Sequence, residues 1–166
     1  MFEKKDLLDE IPRLRRYARA LCGDHGRADD LVQDALERAL IKAHLWHGGS
    51  LRAWLFTLMH HIFVNQWKQA QHMEYRADDD LPETPVRPEQ QDGLDLRDLD
   101  RALAQLSAEH REVLLLVGLE ELSYEQCAEV VGVPIGTVMS RLARARDRLR
   151  KLMSVSAPNG RLKRVK

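Results

Sequence analysis

The chain has 166 residues, 44% apolar but only 5% aromatic, enough for one ordinary domain or two small ones and weighted towards helix. Its 26 basic and 26 acidic side chains cancel, no run approaches the ~18–20 apolar residues of a membrane span, and Met1-Phe2-Glu3-Lys4-Lys5-Asp6 lacks a signal peptide's apolar region. Cys22 and Cys127 stand alone, which fits neither a disulfide framework nor a cysteine zinc site, so a cytoplasmic protein without membrane insertion is expected.

Residues 5 to 21 place Leu7, Leu8, Ile11, Leu14, Ala18 and Leu21 at helical spacing, with Pro12 in the early turns. Gly23-Asp24-His25-Gly26 reads as a break. Residues 28 to 42 then repeat the pattern through Leu31, Val32, Ala35, Leu36, Ala39 and Leu40. Opposite that stripe Asp30, Gln33, Asp34 and Glu37 recur at i, i+3, i+4 and i+7, which on pattern alone is an ordinary solvated face.

The loop His44-Leu-Trp-His-Gly-Gly-Ser50 is polar and offers the Trp46 ring as a surface on which a base could stack. Ser50 is a plausible N-cap for a third helix. At 100° per residue Leu51, Leu55, Leu58 and Ile62 lie within about 60° of one another and should face the core. His61, Asn65, Lys68 and His72 form a second line beside them. Trp67 fits either a DNA-facing or a packing role. His44, His47, His60 and His61 lack a carboxylate or cysteine at ligand spacing, so they read as surface histidines and no metal is expected.

Residues 77 to 93 hold three prolines and a glycine without apolar periodicity, the pattern of an extended linker. The surrounding stretch from Glu74 to Asp100 has ten acids against three arginines, whereas Gly136 to Lys166 has ten bases against Asp147 alone. An acidic middle beside a basic end implies a polyanionic partner for the end. The expected organisation is all-α, with two small helical domains (5–76 and 95–153), an acidic linker (77–94) and a basic tail (154–166).

The C-terminal half reads as helices at about 95–106, 108–118, 124–131 and 135–153. Ser123 and Gln126 make a capping box for the third. Gly132 suits the left-handed position at that helix's end, and Pro134 stops it from continuing. Two helices joined by a short glycine turn make a helix-turn-helix, the DNA-binding pattern. On the last helix Val138, Leu142, Ala145 and Leu149 share one side. Thr137, Ser140, Arg141, Arg144 and Arg148 cluster about 100° away. The first four lie where a recognition helix meets base edges. Arg148, with Arg146, Arg150 and Lys151, is better placed for phosphates.

Asp30-Leu-Val-Gln-Asp-Ala-Leu-Glu-Arg38 resembles region 2.2 of the extracytoplasmic-function (ECF) sigma factors, the smallest class of the sigma-70 family. Trp54-Leu-Phe-Thr-Leu-Met-His-His-Ile-Phe-Val-Asn65 is similar to their region 2.3–2.4 helix. Leu106 to Leu116 and Gly136 to Arg146 resemble region 4. The resemblance runs in order from about residue 8 to 153. It implies an alternative sigma factor that binds the β and β′ subunits of core RNA polymerase and starts transcription at particular promoters, under the control of an anti-sigma factor. Asp30, Gln33, Asp34, Glu37 and Arg38 would then bind polymerase. His61, Asn65 and Lys68 would read and help melt the −10 element, and Thr137, Ser140, Arg141, Arg144 and Arg148 would read the −35 element. Where many members have Arg-Asn this chain has His60-His61, and Asn65 replaces an aspartate, so the −10 preference stays open.

No catalytic residue or cofactor is implied, because the chain has no phosphate-cradling glycine loop, HExxH or nucleophile elbow. Three rivals remain in view. They are a sigma mimic that titrates an anti-sigma factor, a dimeric helix-turn-helix regulator, and a metal-dependent hydrolase using the histidines.

Overall fold

The computed structural model describes residues 1–76 and 94–156. The expected linker and tail therefore lie almost wholly outside the described residues. Among those described, seven α-helices and one short 3-10 turn form, with no strand, as the all-α reading requires. They are α1 (Lys4–Cys22), α2 (His25–Ile41), α3 (Leu51–Arg76), α4 (Leu94–Gln105), α5 (Ala108–Gly118), α6 (Tyr124–Val131) and α7 (Ile135–Ser156).

Local chemistry sets the helix ends. The Ser50 hydroxyl accepts from Ala53 N at 3.1 Å, and Ser107 caps α5 by accepting from His110 N at 3.2 Å. Helix α2 starts three residues before its expected position, because the Asp24 carboxylate accepts from Arg27 N at 3.1 Å and draws His25 and Gly26 into the first turn. Pro12 stands on the exposed side of α1, where the carbonyl it leaves unpaired can meet water.

The apolar stripes meet in one continuous core running from Leu7 to Val138, with Tyr17 and Phe56 edge to face at 4.9 Å. Helices α1, α2 and α3 pack in succession as an N-terminal lobe, and α4, α5, α6 and α7 as a C-terminal one. The lobes also dock on each other, α3 against α6 and α1 against α5. Leu8 and Leu40, both assigned to core stripes, are instead 62% and 54% exposed. Each lies at the edge of its stripe, beyond the buried Leu7 and Ala39, and none of the described elements covers it.

Candidate nucleic-acid interface

The helix-turn-helix forms from α6 and α7. Ser123 and Gln126 close their capping box with two 3.1 Å bonds. Gly132 ends α6 at φ 68°, the left-handed region where a side chain is disfavoured. Val138, Leu142 and Ala145 are buried beneath α7, which turns the other side outward. There Ser140, Arg144 and Arg148 are exposed and Thr137 and Arg141 half-buried. Arg141 is drawn towards the Glu109 carboxylate of α5 at 3.7 Å, whereas Lys151 pairs with Asp147 at 3.1 Å on its own helix. A row of guanidinia on an outward helix face suits a polyanion, with arginine forks able to take guanine edges.

His61, Asn65 and Lys68 are exposed along α3, and Trp67 is 46% exposed near them. Desolvation by its neighbours, with His60, Lys42 and Arg38 adding to it and Glu112 opposing, lowers the His61 pKa. Only the backbone of His72 is described. Trp46 is not a free stacking platform. Its ring meets Phe2 edge to face at 5.6 Å, and its indole nitrogen is buried. The sequence could not place Phe2, which lies 44 positions upstream.

On α2 the side chains of Asp30, Gln33, Glu37 and Arg38 are exposed and that of Asp34 half-buried. Gln33 and Glu37 line a groove of about 700 Å³ whose far wall is Arg15 and Arg19 of α1. These two arginines were missed, although their i, i+4 spacing gives them one helix face.

The lobe seam was missed more completely. Of the four histidines read as surface groups, His60 is not one. Its Nδ1 meets the carboxylate of Glu112, which is 4% exposed and comes from α5. Glu120 is also buried, and Arg16 Nη2 donates to its two oxygens at 3.1 and 3.2 Å, with Arg13 at 3.6 Å. Arg111 reaches the same seam, donating from Nη1 to the carbonyl of Leu21 at 2.8 Å. A buried carboxylate amid apolar residues, as in Glu112-Val-Leu, was the available signal.

Comparison with known proteins matches residues 7–60 to the family model described as the Sigma2 domain of PhyR, and residues 96–149 to Sigma-70, region 4. The chain is 38% identical over 154 residues to the ECF RNA polymerase sigma factor EcfG of Rhodopseudomonas palustris, covering 92% of this chain and 85% of that one. It is 34% identical over 142 residues to the RNA polymerase sigma factor YlaC of Bacillus subtilis, covering 81% and 82%. Among solved structures, the sigma factor RpoE of Bartonella quintana, crystallised with the anti-sigma factor NepR, superposes with a TM-score of 0.80 at 38% identity over 93% of this chain and 98% of that one. With both lobes matched in order and a relative at this identity along nearly its whole length, the chain belongs to the ECF RNA polymerase sigma factors.

Proposed function

We propose that the chain is an alternative sigma factor that joins core RNA polymerase and directs it to particular promoters. The observation that carries this reading is the pairing, on one molecule, of an outward arginine face on a helix-turn-helix with an outward acidic face on α2. The first suits phosphate and base edges. The second suits a basic protein surface, where charge complementarity steers encounter.

In this reading Thr137, Ser140, Arg141, Arg144 and Arg148 engage the −35 element in the major groove. His61, Asn65 and Lys68 engage the −10 element, with the helices over residues 5–76 and 95–153 serving as the two working domains. Asp30, Gln33, Asp34, Glu37 and Arg38 meet the β′ side of polymerase, and the groove to Arg15 and Arg19 extends that contact. The relative solved with an anti-sigma factor supports control of this chain by a protein of that kind.

Charge reversal separates these roles. Arg141→Glu with Arg144→Glu should abolish promoter-specific transcription while the protein still binds core polymerase. Loss of core binding in that variant would count against the assignment. A second reading, a sigma mimic that only captures an anti-sigma factor, draws on the match of residues 7–60 to the PhyR domain. A decoy has no need of the α7 arginines, so it predicts that the same variant leaves all function intact.

A further inference from the structure

The core fixes which way α7 turns. Val138, Leu142 and Ala145 are buried beneath it. At ~100° per residue, the direction straight away from them runs through Gly136, Ser140, Ala143 and Asp147, all of them exposed. Arg141 lies nearer the core, half-buried and drawn to Glu109. The outward face therefore extends further round the helix than the arginine stripe. Thr137, Arg144 and Arg148 make one flank of it, and Met139, Arg146 and Arg150 the other.

Both flanks are basic in their later turns, where Arg144 and Arg148 on one side and Arg146 and Arg150 on the other are exposed. A groove bounded by two phosphate strands fits such a helix, with guanidinia at both edges and small or uncharged side chains between. Nearer the helix N-terminus, where base edges are met, the second flank carries no cation. It carries Met139, 51% exposed, with Ile135 one turn before it, 40% exposed, and the exposed Ala143 one turn after. An apolar strip thus runs beside the polar Ser140 and Arg144.

An exposed methionine by itself is ordinary. Its position on α7 gives this one a task. A thioether has no N–H donor and no charge, so it cannot take guanine or adenine edges as arginine or asparagine does. It can bury the one apolar group on a base edge of the major groove, the C5 methyl of thymine. An unbranched, polarisable side chain adapts well to so small a target. The arginines around the strip suit a polyanion's groove and not an apolar protein surface.

We propose that Met139, backed by Ala143, reads a thymine methyl in the −35 element and is a specificity-determining residue beside Ser140 and Arg144. This contact rests on the sigma-factor reading, in which α7 enters the major groove. Being apolar, it adds sequence preference without adding salt dependence.

Deoxyuridine in place of thymidine removes the methyl and keeps the base pair. The test uses holoenzyme on a promoter fragment that it transcribes, with each −35 thymine changed in turn to deoxyuridine. At one thymine, or two adjacent ones, wild type should lose about fourfold in affinity, the worth of one buried methyl. Met139→Ala should bind the thymine fragment more weakly by a similar factor and no longer distinguish thymine from uracil there. Met139→Leu, apolar and of like volume, should keep the preference, and the polar Met139→Gln should lose it. The salt slope of Met139→Ala should match wild type, because no phosphate contact is removed. Full affinity with uracil at every position, a −35 element without thymine, or a Met139→Ala that keeps the wild-type thymine preference would each overturn the assignment. None of these touches the sigma reading, since the holoenzyme still finds its promoter. A holoenzyme that transcribes no promoter refutes that reading, and the role of Met139 with it.

Discussion

Arg16 of α1 and Glu120 after α5 lie 104 residues apart in sequence, yet three contacts of 3.1 to 3.3 Å join their side chains across the lobe seam. The pair is unequal, because the Arg16 side chain is 52% exposed and that of Glu120 is 0% exposed.

That inequality makes the stability effects of the two deletions unequal. Glu120→Ala leaves Arg13 and Arg16 near water, so the loss should resemble that of an ordinary hydrogen bond, about 0.5–1.5 kcal/mol. Arg13→Ala with Arg16→Ala strands a buried carboxylate, which costs about 3–5 kcal/mol unless the lobes part to rehydrate it. Urea unfolding of both variants should show the larger loss, or a separate early transition, in the arginine variant. Equal losses would mean that Glu120 is not buried in solution.

Gly132 should disfavour a β-carbon for conformational reasons alone. At φ 68° an added Cβ meets nothing within 4 Å, so Gly132→Ala costs about 1–2 kcal/mol from backbone strain without a clash. Gly132→Asn should cost less, since asparagine visits this region more readily. Thermal unfolding ranks the two, and an alanine variant as stable as wild type would contradict the geometry.

Salt dependence should distinguish the α7 arginines. Arg148→Ala is expected to weaken all promoter fragments about equally and reduce the salt slope by about 1. Arg144→Ala should relax the sequence preference at one −35 position, with about 1–3 kcal/mol of discrimination lost. Binding titrations across ionic strength on matched and mutated −35 duplexes measure both. A uniform loss from each variant would place Arg144 on phosphate as well.

Alkaline pH should loosen the fold through its thiols. Burial raises Cys22 from its ordinary 9.0 to about 11, with Arg27 and Arg111 opposing, and raises Cys127 to about 12, helped by Glu112. Between pH 9 and those values the unfolded chain has lost protons that the folded chain keeps. Stability therefore falls as pH rises through this window and is fully present below it. Burial pushes Tyr17 upward too, with the same sign. Stability measured from pH 8 to 11 should decline less steeply for Cys22→Ser with Cys127→Ala. An unchanged slope would show that these thiols ionise as freely folded as unfolded.

Much of the α7 face was legible beforehand because it is local. Ser123, Gln126, Gly132 and the buried side of α7 follow from spacing within some thirty residues, and the capping box and the left-handed glycine formed as expected. The seam was not legible, because its partners are 52 and 104 residues apart and nothing in a single periodicity couples them. His60 illustrates the difference. By pattern it is a surface histidine flanking a core stripe, and only the docking of α5 gives it a buried carboxylate. Trp46 failed for the same reason, since its ring is taken by Phe2.

A sigma factor must supply promoter specificity to core polymerase. Run-off transcription from the promoter upstream of this chain's own gene, with sigma-free core polymerase and the purified protein, reads that specificity out. The expected result is a discrete transcript that requires the protein and disappears with Arg141→Glu and Arg144→Glu, although the holoenzyme still assembles. Failure of the wild-type protein to form a complex with core, or a transcript indifferent to its presence, would show that it does not act as a sigma factor.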